Sequence, residues 1–498
     1  MPAAGNANIL AGDGTTPRRQ GMDIDAAGHR DAFQGLCRRV NLILAFDHGR
    51  AGNGFLAAIF DQHPQVLCSH WVHYLYSYLV TEFGMDTELD AERACAFILE
   101  KSYFRLVFQD ADARVRAMLY KMGGDPDTPV DRETARRVFR DLVTARPRVS
   151  RRELVVAAYY AMAIGAGRDV SQARYLMVAD AVSLRTEHVM RGFSGRVLDA
   201  ALADFPQLRP ISLVRDPRAM FASCRHQYVN VLGNMYAVAP GSFTTQLARL
   251  ARDDLHMDTT VWSFWLAYRA QSARCISRMR GRAGLDFRVL RNEDLNLHFE
   301  ETMRLVSGWL GIDMLLEWTR PDFTPTSMGR PWKGTGAYNS RYQSKTSGPL
   351  TNDPQTVADR SAGPNRHVTE RWRSRLAGHE IRLVERLFAE EMRDLGYEPM
   401  EAGAVPAFSL AGCLMRPLRG ELPGLSWIVR GFRESVREGL RRLCYPFFLP
   451  PFYVVSRWRF YRLIRSGLFE NILEGGETAK KTPFLSPVHR GSGPCDAA

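Results

Sequence analysis

The chain has 498 residues, against roughly 100–200 for an ordinary domain, so it holds one large catalytic domain with additions or two to three smaller ones. Hydrophobic residues make up 45% and charged residues 24%, which excludes wholesale disorder. Lys and Arg outnumber Asp and Glu by 66 to 54, and the resulting net charge of +12 favours anionic partners without choosing among them. The eight cysteines are widely scattered and form no C-x-x-C pair, which points to reduced thiols in a reducing compartment and away from zinc or thioredoxin-like chemistry.

Residues 1 to about 37 are rich in Gly, Ala, Asp and Thr and read as a mobile tail. They lack an apolar h-region, so no secretory signal is expected. Asn41-Leu-Ile-Leu-Ala-Phe46 then reads as a buried strand. A glycine loop over Asp47 to Gly54 follows it, and the run from Phe55 to Phe60 continues as a helix that His63-Pro64 stops. Residues 85–175 read as mostly helical, most clearly near 154–165.

Arg209 to Val214 is a second buried strand, running into Arg215-Asp-Pro-Arg218, where Pro217 suits the first turn of a helix over about 217–229. Phe287 to Leu290 is a third short strand, followed by a helix over about 299–310 that ends at Gly311. Residues 323–366 are loop-like, and a long amphipathic helix is expected over about 368–395, ending near Gly396. There is no internal repeat. Strands alternating with helices predict an α/β fold with a central parallel sheet flanked by helices. The longest greasy stretch, Leu443 to Val455, has 13 residues and three prolines, too few to cross a bilayer that needs about 20.

Three segments carry anion-binding chemistry. In Gly49-Arg-Ala-Gly-Asn-Gly54, a glycine loop leads into a helix N-terminus, where backbone N–H groups and the helix dipole attract phosphate or sulfate. A Walker A loop is excluded because no Lys-Ser/Thr follows Gly54, which disfavours a P-loop-type kinase. Arg50 would supply the cation instead, gripping an oxyanion at two points. A turn that only solves a packing problem has the same pattern. In the second segment Ser223 stands eight residues after Arg215, within about 80° of its side of a helix, so that one anion could touch a guanidinium and a hydroxyl. The alternative is a capped helix start with surface arginines. In the third, Trp332-Lys-Gly-Thr-Gly336, Lys333 and Gly334 would close over a phosphate, or stay solvated in a loop.

Together these segments resemble the PAPS-dependent sulfotransferase family, with its P-loop-like domain of bacterial type. The first is similar to the family's 5′-phosphosulfate loop, followed by Asp61-Gln-His-Pro64. The second matches its R-x-P-x-x-x-x-x-S element for the 3′-phosphate at Arg215, Pro217 and Ser223. Arg288 to Leu295, Trp309-Leu-Gly-Ile312 and Trp372 to Glu398 resemble later family motifs. The resemblance covers roughly 38–400 and implies a sulfotransferase-like catalytic domain with a helical insertion at about 85–200. It implies PAPS as donor, without a metal, and a hydroxyl or amine of a glycan, lipid or metabolite as acceptor. Gly49, Arg50, Ala51, Gly52, Asn53, Gly54, Arg215, Ser223, Lys333 and Gly334 would hold the donor, with Arg50 neutralising the leaving phosphate. His188 and His48 are the expected bases, with Asp180 and Glu187 near the former, while Glu293 and Asp294 would fix loop structure. The family usually has Ser or Thr where Asn53 and Gly54 stand, so a non-catalytic nucleotide-binding or assembly protein is the alternative.

Residues 401–498 hold 14 Arg and Lys against 8 Asp and Glu, half of the net charge. Ile428, Phe432, Val436, Leu440 and Leu443 fall at helical spacing, with Arg433, Arg437 and Arg441 in a separate stripe. Aromatics mixed with arginines continue to Arg462. This basic extension suits an anionic membrane surface over 426–465, packing on the catalytic domain, or a protein or oligomer contact; no nucleic-acid motif is present. A cytoplasmic protein, peripheral at the inner membrane, is the resulting expectation.

Overall fold

A computed structural model describes residues 26–47, 51–69, 71–110, 112, 115–116, 119, 127–128, 130–181, 193–223, 284–332, 363–400, 425–440, 442–444, 458 and 485–486. Its strands are β1 (Asn41–Asp47), β2 (Val66–Leu67), β3 (Glu88–Asp90), β4 (Arg148–Ser150), β5 (Tyr175–Ala181), β6 (Arg209–Val214), β7 (Arg288–Arg291), β8 (Thr326–Ser327) and β9 (Arg330–Pro331). Five of them form one sheet in the order β2-β5-β1-β6-β7, with every pairing parallel. Helices flank the sheet, as the alternating pattern predicts. β1 lies at the centre, and Leu42 to Phe46 are all buried, because a strand covered on both faces must be apolar throughout rather than alternating.

The strands expected at 41–46, 209–214 and 287–290 form within a residue of those bounds. The helix Phe299–Leu310 ends as expected at Gly311, whose φ of +65° a residue with a Cβ rarely adopts. The helix Arg151–Gly165 begins with a capping box between Ser150 and Glu153.

Three expectations are corrected. The mobile tail expected over 1 to about 37 is contradicted from residue 26 onward: Ala26–Arg39 is a helix that buries Phe33 and Leu36, with Arg39 donating to the carbonyls of Val170 and Ala173. The helical insertion does not extend unbroken to 200. Tyr175–Ala181 is β5, a strand of the main sheet paired with β1 along its whole length. Leu176 and Met177 are good helix formers, so its short apolar run does not announce a strand. The long helix expected over 368–395 is four short ones, Arg366–Glu370, Trp372–Arg375, Gly378–Leu387 and Ala389–Asp394. The backbone is extended at Leu376 and Ala377, and the Glu380 carboxylate restarts the helix by accepting from the Ala377 N–H at 2.8 Å.

The insertion is bolted to the sheet by a buried ion pair. Arg151, fully buried, donates to both oxygens of Asp204, at 2.8 and 3.1 Å, and to the carbonyls of Asp86 and Ala200. The Tyr76 hydroxyl donates to the same carboxylate. Asp204 ends the helix Phe193–Asp204 that feeds β6, so the pair fixes where β6 begins. At the far edge the Leu485 N–H donates to the Val289 carbonyl, which ties the C-terminal extension to β7.

Arg151→Ala leaves Asp204 buried without its cation and is expected to destabilise the fold by about 3–5 kcal/mol, read as a lowered midpoint in urea unfolding; an unchanged midpoint would refute this role.

Candidate functional site at the carboxyl edge of the sheet

Because the five strands are parallel, their carboxyl ends share one edge, where open α/β sheets bind ligands. Neighbouring strands stand about 4.8 Å apart. β1 pairs with β6 in the register Phe46 to Ser212, so the glycine loop after β1 and Arg215 after β6 leave the sheet side by side. This juxtaposition joins two segments that are 165 residues apart in sequence (215 − 50).

The glycine loop is crowded against its neighbours. Gly52 has φ +118°, and a Cβ there would lie 2.2 Å from Asn292 Nδ2 and 3.7 Å from Leu213 Cδ2. The helix Asn53–Phe60 starts from Gly52, and its first amides have no intrahelical acceptor, the arrangement that binds oxyanions. Ala51 and Asn53 are buried, and Asn53 Oδ1 has no hydrogen-bond partner among the described residues. His48, Gly49, Arg50, Glu187, His188, Lys333 and Gly334 lie outside the described residues. The third segment nevertheless starts beside the first, because Trp332 stacks on Phe55 with ring centroids 5.8 Å apart.

Asp61 and His63 explain how that contact arises. Asp61 Oδ2 accepts from the Thr326 hydroxyl at 2.9 Å and the Gly329 N–H at 2.8 Å, holding the β8–β9 turn that leads into Trp332. His63 Nδ1 accepts from the Gln65 N–H, which leaves Nε2 to donate to the Asp313 carbonyl. Burial disfavours a second proton on this ring. The Asp-x-His-Pro motif is therefore a clamp on the loop before Lys333.

Arg215 and Ser223 are both buried near the start and end of the helical residues 217–223. Arg215 Nη2 donates to the Val368 carbonyl at 2.8 Å, one of the five donors that a guanidinium carries. Behind it stands a charged layer. Asp216 accepts from the Arg218 N–H and binds the Arg218 guanidinium through both oxygens, and Arg218 also reaches Glu385 at 2.6 Å while lying over the Trp372 ring. Glu293 accepts from the Asp216 N–H at 3.0 Å and from the Tyr397 hydroxyl at 2.8 Å. Burial raises the Glu293 pKa above the usual glutamate range, the Asp216 carboxylate adds to the rise, and Arg215 opposes it. Glu293 thus fixes loop structure.

On the other side of β1, the end of β5 carries a group that the sequence reading did not assemble. Asp180 is buried and accepts from the Ser77 N–H at 3.1 Å and from the Ser77 hydroxyl. His73 bridges to Ala179, and Tyr74, at φ +59°, donates its N–H to the Ala179 carbonyl. Tyr103 packs edge-on against both rings. The signal was the aromatic run Trp71 to Tyr78, which has meaning only once β5 is known to be a strand.

No protein-family model matches the chain, and no curated protein matches it. Among solved structures it is similar to the sulfotransferase domain from the curacin biosynthetic pathway, at 10% identity and TM-score 0.40, over 72% of this chain and 98% of that one. It is also similar to the sulfotransferase STF9 from Mycobacterium avium, at 14% identity and TM-score 0.27, over 59% of this chain and 71% of that one. Both likenesses are too distant to carry function across.

Among the described residues, no group of three or more His, Cys, Asp or Glu side chains is placed to hold a metal ion. Cys37, Cys68, Cys95 and Cys444 are free thiols, and burial pushes Cys95 up to about 11 and Cys37 up to about 12, where they are poor nucleophiles.

Gly52→Ala forces a side chain into left-handed backbone and onto Asn292; a loss of about 1–3 kcal/mol is expected in urea unfolding, and an unchanged stability would show that the loop relaxes. A buried acid with a raised pKa contributes most to stability below its unfolded value and loses that contribution as pH rises through its folded value. Glu293→Gln is therefore expected to gain on wild type as pH rises above about 4, with the smallest difference between them in acid. A pH-independent difference across a series of urea melts would contradict burial as the cause.

Proposed function

We propose that the chain is a PAPS-dependent sulfotransferase, a transferase that moves a sulfuryl group to a hydroxyl or amine of a glycan, lipid or metabolite. The observation that supports this most is the parallel pairing of β1 with β6. It brings the glycine loop and the Arg215 segment, the two candidate oxyanion grips, to one edge of the sheet. The Phe55–Trp332 stack adds the start of the third segment to the same edge.

In this reading the amides at the start of the helix Asn53–Phe60 and the Arg50 guanidinium receive the 5′-phosphosulfate. Arg215 and Ser223 hold the 3′-phosphate, and Lys333 and Gly334 close over the donor. The acceptor oxygen or nitrogen attacks sulfur, the bond from sulfur to the 5′-phosphate oxygen breaks, and adenosine 3′,5′-bisphosphate leaves. The acceptor's proton goes to a base, for which His188 and His48 are the candidates. Alignment and charge neutralisation supply most of the rate, as in phosphoryl transfer. The reaction would take place in the cytoplasm, where the thiols stay reduced.

A second reading has its own support. Asn53 and Gly54 offer no hydroxyl to the 5′ group, and Arg215 already donates to the Val368 carbonyl. Such a protein would bind nucleotide without transferring sulfate.

Calorimetric titration with adenosine 3′,5′-bisphosphate separates the readings. Wild type is expected to bind, and Arg215→Ala to lose about tenfold to a hundredfold in affinity, the value of a charged hydrogen bond. Ser223→Ala, a milder change, should lose less. Binding together with sulfate transfer from PAPS to a panel of hydroxyl acceptors supports the enzyme; binding without release of the bisphosphate from PAPS supports the second reading. Absence of binding, or binding that Arg215→Ala and Ser223→Ala leave untouched, overturns both.

A further inference from the structure

The C-terminal extension shows a face that the sulfotransferase reading does not use. The helix Leu425–Glu434 breaks at Ser435 and resumes over residues 436–440 and 442–444. The two halves close on each other where side chains are missing. A Cβ on Gly439 would meet the Phe432 ring at 2.2 Å, and one on Gly431 would meet Arg442 Cδ at 2.7 Å. Along the outside run Val429, Phe432, Val436, Leu440 and Leu443, at spacings of three and four residues. All five are exposed, Val436 by 69% and Leu440 by 52%, whereas a stripe of this kind on an ordinary surface helix is buried against the core.

The charges around the stripe are uneven. Residues 425–444 contain arginines at 430, 433, 437, 441 and 442 and glutamates at 434 and 438, five minus two, for a net +3. Both glutamates are engaged by one buried arginine: Arg442 donates to Glu434 at 2.6 Å and to Glu438 at 2.9 Å. Arg433 and Arg437 remain exposed, three residues before and one residue after Val436, along one flank of the stripe. The stripe is therefore an apolar strip bordered by cations, with the nearby carboxylates already paired.

We propose that this bent helix is a docking face for an anionic lipid surface, lying in the interface with Val436 and Leu440 at the headgroup–acyl boundary. Charge complementarity selects this occupant. A second copy of the chain, packed isologously on the stripe, would bring Arg433 and Arg437 against their own kind, which is unfavourable. An anionic bilayer pairs with the arginines and takes up the apolar side chains together. No helix among the described residues is long and apolar enough to cross a membrane, so the contact lies on the surface.

The test is co-sedimentation of the full chain with vesicles of phosphatidylcholine alone or mixed with phosphatidylserine. Wild type is expected to pellet with the mixed vesicles and about tenfold less with the neutral ones, and added salt should release it. Val436→Ser combined with Leu440→Ser should lower the bound fraction about tenfold, with the thermal midpoint unchanged because both side chains are exposed. Should that variant unfold, Arg433→Glu with Arg437→Glu is expected to abolish the preference for phosphatidylserine, and retention of the preference overturns the proposal. The proposal also fails if wild type stays in the supernatant with both vesicle types, or if the folded serine variant pellets like wild type. A wild-type dimer in sedimentation velocity that the serine variant converts to monomer would assign the face to self-association instead.

Discussion

The parallel pairing of β1 with β5 on one side and β6 on the other is the constraint on which the rest of the structure depends. β1 is buried on both faces and hydrogen-bonded on both edges, so its position admits little adjustment. Parallel order sends every strand end to the same edge, and such order requires crossovers, of which the described ones include the helices Asn53–Phe60 between β1 and β2 and Phe193–Asp204 between β5 and β6. The carboxyl ends of β5, β1, β6 and β7 therefore stand in a row, although in sequence they are far apart. At the middle of the row the backbone at Gly52 takes φ +118°, a conformation that residues with a Cβ rarely adopt, and Asn292 Nδ2 fills the space a Cβ there would need.

A layer of buried charge sits directly behind that edge. Asp216, Arg218, Glu293, Glu385 and Tyr397 are linked by hydrogen bonds that leave few of their polar atoms facing one another unsatisfied. Burying ions is costly unless they are paired, so a network of this size in a sheet edge is a positioning device more than a source of stability. It holds the start of the helical segment after β6, and with it Arg215. The short helices from 366 to 394 belong to the same layer. They deliver the Val368 carbonyl, Trp372 and Glu385 to the back of the edge, and Tyr397 follows directly after them.

The extension beyond residue 400 is built on a different principle. Its described helix keeps an apolar stripe outward and neutralises its own carboxylates with a buried arginine. The Leu485 N–H donates to the Val289 carbonyl at the outer edge of β7, so a backbone hydrogen bond as well as chain connectivity links the extension to the sheet. The transfer chemistry proposed for the carboxyl edge and the surface attachment proposed for the extension would fall to separate elements.

The primary sequence determined the elements whose signals are local. Continuous apolar runs bounded by glycine or polar residues marked β1 and β6, and Gly311 marked a helix end, because burial on both faces and left-handed backbone each impose their residues directly. The helix start after β6 was legible for the same reason, since Pro217 suits a first turn and residues 217–223 are helical; Arg215 lies before that helix, so helical spacing does not relate it to Ser223. The tertiary structure alone decided that Tyr175–Ala181 is a strand: its leucine and methionine suit a helix, and pairing with β1 outweighs that weak preference. It also decided that residues 368–395 break into short helices around a buried charge layer, and that Asp180, Ser77 and His73 meet at the end of β5. These outcomes depend on contacts between residues tens to hundreds of positions apart, which no local pattern encodes.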